Sequence, residues 1–370
     1  MTLNRVLTGT LSSQQSTTVG VLGGQDPNGS GGLESVVRNI AVNSPDSYEY
    51  VHYCSGPETR TTRSDVGEVN MYTGGVGRIR SKHVYSLRAA RDLARRDVDL
   101  VHGHGDNCLG LHFFPPERPY VVTFHGTAAG MYENVFSDSN PLRRALSRVR
   151  MFPERVAARQ CDVAVACSPM VRDELVQQYG TDPEKVVVIR NGVDTSRFVP
   201  APRADAAERL DIPLDQRYIR WIGTDPRRKR LRTALRVVDA IDEDLQLLVI
   251  GREGTDTSSV RYLGYVPEER IVDAYSAAEV LLFPSLYEGD PLVIWEALSC
   301  GLPVVTSPFM PEYETGVRYA PAHEVDAYVD CLVSVLSDPP DRAALRESVL
   351  DSDWERVTET YLDLFDRVMR

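Results

Sequence analysis

The chain has 370 residues, of which 42% are hydrophobic, and a net charge of −12. This length predicts two domains, each large enough to bury a core of its own. The charge argues against nucleic acid as the main partner, because residues 191–370 hold the acidic excess, with 33 Asp and Glu against 20 Lys and Arg.

The composition also indicates where the protein is located and whether its cysteines form a metal or redox site. No apolar run approaches the roughly 20 residues that a membrane-spanning helix needs. Residues 1–20 are rich in Ser, Thr and Gln and lack the apolar core of a signal peptide. The six cysteines include no CxxC pair, which argues against a zinc or disulfide-exchange site. A cytoplasmic protein with free thiols is therefore expected.

Strand-like and helix-like segments alternate along the first half of the chain. The predicted strands are 19–23, 48–54, 66–72, 100–103, 120–124, 163–167 and 186–189. The predicted helices are 33–40, 84–94, 141–160 and 171–179. This alternation predicts a parallel sheet with helices on both faces. Ligands on such sheets bind beyond the carboxyl ends of the strands, where His125 follows one predicted strand.

A glycine-rich loop, residues 23–32, joins the first predicted strand to the first helix. Its glycines fit neither the G-x-G-x-x-G pattern of dinucleotide-binding folds nor the G-x-x-x-x-G-K-[ST] pattern of P-loops. The loop still allows a ligand to approach the backbone at Gly31 and Gly32, where the helix begins. A surface turn without a ligand is the alternative.

The chain divides after residue 194. Residues 195–216 are rich in Pro, Ala and charge and are predicted to be a linker that follows a first domain at 1–194. A second alternation of strands and helices fills a domain at 217–350, and a helix within 351–370 is expected to pack back on the first domain. The predicted fold class is therefore α/β, with two doubly wound, Rossmann-like parallel-sheet domains that face a cleft.

The turn at 285–297 carries two carboxylates, Glu288 and Glu296, between a predicted buried strand and a helix. Pro291 suits the first position of that helix, because proline has a preset φ and no N–H to leave unpaired. Free backbone amides and the positive end of the helix dipole would meet here, which predicts a phosphate site. Glu296 could accept hydrogen bonds from a sugar diol. A loop acid and an exposed helix acid without function are the alternative.

Four stretches carry a family resemblance. They are Gly31-Gly32-Leu33-Glu34, residues 187–194 (VVIRNGVD), residues 262–267 (YLGYVP) with 275–280 (YSAAEV), and residues 288–305, which contain EGDPL and EALSCGLPVV. In this order they resemble glycosyltransferase family 4, whose members are retaining enzymes of the GT-B fold. The likeness spans roughly residues 19–370 and is strongest over 186–306.

The resemblance implies a hexosyltransferase that takes a sugar from a nucleoside-diphosphate sugar and gives it to a lipid-linked or glycan acceptor. By matching position, Glu288 would face the transferred sugar, Glu296 the ribose hydroxyls and His125 the reacting carbon. The implied catalytic residues are Glu288, His125 and Lys229. The implied substrate-binding residues are Gly31, Gly32, Arg228, Tyr265, Val266, Gly289, Asp290, Pro291, Leu292 and Glu296.

Two positions depart from the family pattern. An arginine usually follows the strand that ends at Gly223, with a lysine five residues later, whereas this chain has Thr224 and Lys229. The family's Gly-Phe-Gly-Leu is Gly-Asp-Pro-Leu here. Asp290 places a negative charge beside the expected phosphate site unless its side chain points away, and Pro291 removes one donor amide.

No metal or other cofactor is expected. The leaving diphosphate gains negative charge, which Lys229 and the helix amides could neutralise. His102 and His104 lack a third ligand nearby in the sequence. No acid is placed as a covalent nucleophile, so the resemblance implies attack on the face that held the phosphate. Asp-x-Asp pairs, on which many metal-using transferases rely, occur only at the wrong sheet edge or in the C-terminal tail, as Asp97/Asp99, Asp242/Asp244 and Asp351/Asp353.

The acceptor side is predicted to be basic. Residues 78–159 hold 14 Lys and Arg against 8 Asp and Glu. The helix at 141–160 is amphipathic and favours contact with an anionic membrane at its cytoplasmic face, which would suit a polyprenyl-linked acceptor. A solvated helix face is the alternative. The arginines of this helix are Arg143, Arg144, Arg148, Arg150, Arg155 and Arg159.

Two other functions fit the same sequence. A nucleotide-sugar epimerase or hydrolase on the same fold would convert the donor without an acceptor. A non-catalytic subunit that binds nucleotide sugars is suggested only by Thr224 and Asp290.

Overall fold

The computed structural model describes residues 16–73, 75–76, 79–80, 82–136, 141–242, 244–308, 311–313 and 315–370. Within these ranges the chain forms two α/β units, one around an eight-stranded sheet and the other around a six-stranded sheet, so the predicted fold class is confirmed. None of the described helices is long and apolar enough to cross a membrane.

The strands and helices follow the predicted alternation. The strands are β1 (Thr17–Gly24), β2 (Tyr48–Gly56), β3 (Arg60–Ser64), β4 (Gly67–Thr73), β5 (Gly75–Val76), β6 (Ile79–Arg80), β7 (Leu100–His104), β8 (Tyr120–Phe124), β9 (Val163–Ala166), β10 (Val186–Val188), β11 (Arg217–Ile222), β12 (Leu245–Ile250), β13 (Val260–Gly264), β14 (Val280–Phe283), β15 (Val304–Thr306) and β16 (Val317–Tyr319). The helices are α1 (Gly32–Val42), α2 (Lys82–Leu93), α3 (Leu109–Phe113), α4 (Ala128–Val135), α5 (Pro141–Gln160), α6 (Pro169–Gln177), α7 (Arg203–Leu210), α8 (Leu231–Ala240), α9 (Ile271–Ser276), α10 (Leu292–Ser299), α11 (Val325–Ser337), α12 (Arg342–Glu347) and α13 (Trp354–Met369).

The first sheet has the strand order β10-β9-β8-β7-β1-β2-β4-β3, and its strands are parallel except for β3. Strands β7 and β8 are buried at every residue, because helices cover both faces of the sheet. The sequence did not predict β3, since its five residues (RTTRS) are all exposed at the sheet edge and show no apolar alternation.

The second sheet has the strand order β13-β12-β11-β14-β15-β16, which is that of a doubly wound dinucleotide-binding fold. The winding reverses between β11 and β14, so a crevice opens at the carboxyl ends of these two strands. Gly223 and Thr224 follow β11, and the turn that holds Glu288 follows β14. The topology therefore brings the residues of the predicted phosphate site to one crevice.

Two helices outside the alternating strands and helices of each unit pack in different ways. Helix α7 lies within the stretch predicted to be a linker, and it buries Ala206 and Leu210 against the second sheet. Helix α13 crosses to the first sheet, where Trp354, Tyr361 and Phe365 are buried in the core beside β1 and β2. The C-terminal helix thus ties the end of the chain to the first domain.

Two buried histidines should make this fold sensitive to mild acid. His52 and His102 are each 1% exposed, and burial lowers the pKa to about 4 for His52 and about 3 for His102. The unfolded chain, with a histidine pKa near 6.5, binds protons at pH 5 that the folded protein does not. The free energy of unfolding should therefore fall by about 2 kcal/mol per histidine between pH 7 and pH 5. Urea unfolding of wild type and His102→Gln at both pH values measures the effect, and equal losses in the two proteins would contradict it.

Candidate active site

Glu288, in the turn between β14 and α10, is paired with two cations from the turn after β11. Lys229 Nζ lies 2.6 Å from Glu288 Oε1, Arg228 Nη1 contacts the same oxygen, and Ser285 Oγ donates to it at 2.8 Å. Trp221 fixes the segment that carries the lysine, because its Nε1 donates to Lys229 O at 2.9 Å. The turns after β11 and β14 are thereby joined through one carboxylate.

The charges of this cluster are set by burial and by each other. Burial alone would raise the pKa of Glu288, but the charges of Lys229 and Arg228 outweigh it and hold that pKa below the ordinary value. Burial lowers the pKa of Lys229, an effect that Glu288 opposes and Arg228 increases. Because water screens it poorly, the lysine should interact strongly with an arriving anion.

Glu296 lies on α10 above a stacked tyrosine and arginine. Tyr275 Oη donates to Glu296 Oε2, and the guanidinium carbon of Arg220 lies 3.3 Å from the centroid of the Tyr275 ring. Arg220 is fully buried, and its guanidinium nitrogens have no hydrogen-bond partner among the described residues. Burial raises the pKa of Glu296, although the Tyr275 hydrogen bond and the Arg220 charge oppose that rise. Tyr275 thus orients the carboxylate through one oxygen and leaves Oε1 for a ligand.

A cavity of about 680 Å³ lies between the two sheets in front of Glu296. This volume is typical of small-molecule sites. Lys229 adjoins the cavity, because a Cβ on the lining residue Gly223 would lie 2.8 Å from Lys229 Cγ. Tyr265, in the cavity wall, is 71% exposed and offers an aromatic face. The lining includes Gly29, Ser30, Arg38 and Asn39 from the first unit, and Gly223, Thr224, Tyr265, Val266, Leu292 and Glu296 from the second.

The residues between Glu288 and α10 pack against the first unit. A Cβ on Gly289 would lie 2.3 Å from His125 O, so glycine permits this close approach. The Asp290 carboxylate accepts hydrogen bonds from Arg190 Nη2 at 2.7 Å and from Asn191 N at 2.8 Å. The negative charge that the sequence places beside the phosphate site is therefore neutralised by an arginine.

Helix α10 spans Leu292–Ser299, so Pro291 does not occupy the first helical position that the sequence suggested for it. Pro291 is its N-cap, with φ −74° and an extended ψ of 119°, and Leu292 is its first residue. The backbone of Pro291 already accepts the first hydrogen bond of the helix, from Ile294 N at 3.1 Å. Proline at the N-cap also lacks an N–H, so the first amides that can face a ligand are those of Leu292 and the next residues.

Two family models match consecutive parts of the chain. The model for Glycosyltransferase Family 4 matches residues 30–197, and the model for Glycosyl transferases group 1 matches residues 216–338. The chain is a glycosyltransferase of the family 4 type. The boundary between the two matches falls between the last strand of the first sheet and the first strand of the second.

Known relatives agree with this assignment. A D-inositol 3-phosphate glycosyltransferase of Salinispora tropica is 27% identical over an alignment of 383 positions, which covers 90% of this chain and 76% of that protein. A sucrose-phosphate synthase from Thermosynechococcus elongatus has a TM-score of 0.80 at 18% identity, covering 95% of this chain and 99% of that one. HepE from Anabaena, in complex with UDP-glucose, has a TM-score of 0.72 at 15% identity, and the match covers 95% of this chain and 99% of that one. The GT-B fold predicted for this glycosyltransferase is thus confirmed.

In the glycosyltransferase, His125 follows β8 and is engaged by a second histidine, His104, at the end of β7. His104 Nδ1 and His125 Nε2 are 2.9 Å apart, and the rings stack with centroids 5.2 Å apart. Burial lowers the pKa of His125 to about 4, so the ring is neutral at pH 7. One nitrogen of the pair donates and the other accepts, which leaves His125 Nδ1 for a ligand.

The glycine loop approaches the cavity from the first domain. Gly29 and Ser30 line the cavity, while Gly31 is the N-cap of α1 and Gly32 its first residue. A Cβ on Gly31 would lie 2.1 Å from Glu34 Oε2, whereas a Cβ on Gly32 would meet nothing within 4 Å. A side chain at Gly31 would therefore displace the Glu34 carboxylate, and Gly32 faces open space.

Tyr287, which precedes Glu288 in the turn after β14, contacts the first domain in a way that the sequence did not indicate. Its Oη accepts from Thr127 N at 2.8 Å and donates to Glu174 Oε2 at 2.7 Å. A Cβ on Gly130 would lie 2.3 Å from the Tyr287 ring. These partners lie 160 and 113 positions away in the chain, so no local pattern could have revealed them.

The Asp-x-Asp pairs have structural contacts in this glycosyltransferase. Asp99 Oδ2 accepts from Thr18 N at 2.8 Å, and Asp353 caps α13 by accepting from Glu355 N at 3.0 Å. Across the described ranges, no group of three or more His, Cys, Asp or Glu residues could hold a metal ion.

Helix α5 carries the arginines predicted to face a membrane. Arg155 and Arg159 donate to carbonyl oxygens of the segment after α6, at 3.0 and 2.7 Å. Val149 and Phe152 are 70% and 51% exposed. The helix thus presents apolar side chains to solvent. The side chains of the other predicted arginines lie outside the described residues, namely Arg143, Arg144, Arg148 and Arg150.

Proposed function

We propose that this glycosyltransferase moves a hexose from a nucleoside-diphosphate sugar to a glycan or lipid-linked acceptor, with retention of configuration and without a metal ion. The observation that carries the proposal is the largely buried ion pair of Lys229 and Glu288, next to a cavity that Glu296 lines. Lys229 and the first amides of α10 supply positive charge for the diphosphate. Glu288 supplies negative charge where the sugar becomes cationic.

In the proposed reaction the bond between the anomeric carbon and the β-phosphate oxygen breaks. The acceptor oxygen bonds to the same carbon on the same face, and its proton passes to the leaving phosphate oxygen. Glu288 is ionised and shared between two cations, Lys229 and Arg228, which weakens it as a covalent nucleophile. This pairing favours same-face attack over a glycosyl-enzyme intermediate.

Substrate recognition is divided between the two domains. Glu296 Oε1 would accept hydrogen bonds from the ribose hydroxyls, and Tyr265 and Val266 would meet the base. Neutral His125 would bind a sugar hydroxyl through Nδ1, because its Nε2 is taken by His104. Lys229 with Arg228 would take over the role of the missing arginine at Thr224, since both cations already converge on one anion.

The donor is tested by thermal shift with UDP, ADP, GDP and their glucose conjugates. A ligand at 100 times its Kd should add about 2.7 kcal/mol of stability. UDP-glucose is the first sugar to test because it is bound in the HepE complex, and phosphorylated polyols are acceptors to try because of the inositol phosphate relative. Donor consumed equally fast with and without acceptors would contradict transfer and indicate a hydrolase or epimerase.

We propose that α5 binds the cytoplasmic face of an anionic membrane. Exposed Val149 and Phe152 supply apolar area on a helix rich in arginine. Flotation with vesicles of phosphatidylglycerol and phosphatidylcholine should carry the protein upward, and Phe152→Asp should weaken this binding. Wild-type protein that stays in the soluble fraction would contradict the proposal.

Replacing Tyr275 by phenylalanine should weaken UDP binding about tenfold, the equivalent of one hydrogen bond to a charged group. The change removes the donor that orients Glu296 while keeping the ring that covers Arg220. Calorimetric titration should show no comparable loss for 2′,3′-dideoxy-UDP, which lacks the hydroxyls that Glu296 would bind. Tyr218→Phe is the control, because Tyr218 Oη donates to Pro213 O, away from the cavity. Equal losses for both nucleotides would contradict the ribose role.

A further inference from the structure

The turn that carries Glu288 is held by the first domain on both sides of that residue. Tyr287 precedes Glu288 and contacts the loop after β8, while Asp290 follows two residues later and contacts the loop after β10. Neither Tyr287 nor Asp290 is among the residues that line the cavity in front of Glu296. Each contact joins the second domain to the first.

Asp290 forms the more extensive of the two contacts. Its side chain is fully buried and accepts two hydrogen bonds from Arg190, Nη2 to Oδ1 at 2.7 Å and Nε to Oδ2 at 3.1 Å. Asn191 N donates to Oδ2 at 2.8 Å, and Asn191 Nδ2 donates to the Asp290 carbonyl at 2.7 Å. Trp295 Nε1 and Tyr313 Oη complete the shell at 3.1 and 3.0 Å. A bidentate arginine and a full set of donors make this a strong and directional pair.

The arginine of this pair is itself held in place by aromatic rings. The Arg190 guanidinium carbon lies 4.9 Å from the Trp295 ring centroid and 4.8 Å from that of Tyr313. Both rings belong to the second domain, whereas Arg190 follows the last strand of the first. The guanidinium therefore contacts the second domain through its faces as well as through its N–H groups.

Tyr287 enters a polar pocket on the other side of Glu288. Its hydroxyl accepts from Thr127 N and donates to Glu174, and Thr127 Oγ1 also donates to Glu174 at 2.6 Å. The ring lies so close to Gly126 that a Cβ there would be 3.3 Å from it. The backbone of His125 is the immediate neighbour of this pocket.

We propose that Tyr287 and Asp290 form an interdomain clamp that holds the two domains together across the cleft. The proposal rests on the proposed function for its effect on catalysis, but closure itself is independent of transfer. Both are positioning residues, because they act through the turn that carries Glu288. A cleft that is already closed avoids the reduction in apparent affinity that a rarely populated competent state imposes.

The test compares Asp290→Asn and Tyr287→Phe with a matched control. Asp273 is also buried and paired with an arginine, Arg209 Nη2 at 2.6 Å, but both residues of that pair lie in the second domain. Small-angle X-ray scattering of the ligand-free proteins should show a larger radius of gyration for both clamp variants. UDP should restore the compact form. Asp273→Asn should stay as compact as wild type.

Kinetics provide a second readout that general destabilisation would not reproduce. If the closed fraction falls to about a tenth, the KM for the nucleotide sugar should rise about tenfold while kcat stays within about threefold. Arg190→Lys keeps the charge but loses the bidentate geometry. Its KM for the nucleotide sugar should therefore lie between those of wild type and Arg190→Gln.

Three results would overturn the clamp. The first is a folded Tyr287→Phe whose radius of gyration and KM are both unchanged. The second is an expansion of Asp273→Asn equal to that of the clamp variants. The third is a loss of kcat at constant KM in the clamp variants. If Asp290→Asn has no cooperative thermal transition, Tyr287→Phe decides, because it removes a single hydroxyl. Failure to process any donor would refute the proposed function but leave the scattering result as a test of closure.

Discussion

Replacing Glu288 by glutamine should lower the rate of sugar transfer about a thousandfold, while UDP binds as tightly as before or more tightly. The carboxylate is the anion that Lys229 and Arg228 share in the free protein. Removing its charge frees both cations for the diphosphate, so the ground-state complex with UDP is not weakened. The transition state loses the negative charge that faces the cationic sugar. Glu288→Gln should therefore lower kcat without lowering the affinity for UDP.

Calorimetry with UDP and single-turnover measurements with the donor separate the two effects of Glu288→Gln. Glu279→Gln is the matched control, because Glu279 accepts from Arg217 Nη2 at 2.8 Å in the same domain but before β14, away from the cleft. The control should keep both kcat and UDP affinity. A parallel loss of UDP affinity and kcat in Glu288→Gln would show instead that the carboxylate organises the phosphate site.

The overall fold could be predicted because its information is local. Parallel strands covered on both faces give largely continuous apolar runs, and β14 (VLLF) and β8 (YVVTF, with one threonine) show them. The exposed edge strand β3 lacks such a run, and α7 lies in a stretch whose composition resembles a linker. Periodicity thus identifies elements that bury a face and misses those defined by pairing or by docking.

From the residue pattern alone, the site could be predicted only as far as its residues share one turn. The family resemblance added Lys229, which the structure places against Glu288. Glu288 and Glu296 flank a strand-to-helix turn, so their neighbourhood follows from the sequence. The orientation of Asp290 does not, because its partner Arg190 lies 100 positions earlier. Arg220 gave no signal either, since an arginine in a strand usually faces solvent, whereas here it is fully buried on the ring of Tyr275. Long-range partners, not residue types, decide whether these charges face the ligand.

Lys229→Met should lower kcat/KM about a thousandfold and, unlike Glu288→Gln, weaken UDP binding as well. The Lys229 side chain is only 13% exposed, and its Nζ lies 2.6 Å from Glu288 and 4.2 Å from the centroid of the Phe283 ring, so no water-exposed cation can easily replace it. The variant also leaves Glu288 with Arg228 as its remaining cation, which adds net negative charge next to the diphosphate. Both binding and leaving-group departure should therefore suffer.

The same variant tests whether positive charge replaces a metal ion at this site. Wild-type activity should be unchanged by EDTA, whereas added Mg²⁺ should partly restore donor turnover by Lys229→Met, because a divalent cation can neutralise the same phosphate oxygens. Lys185→Met is the control, since that lysine donates to Cys161 O in the first domain at 3.3 Å. Wild-type transfer that EDTA abolishes and Mg²⁺ restores would show that Lys229 is insufficient. In that case the buried cation of the second domain orients the donor, and a metal carries the leaving charge.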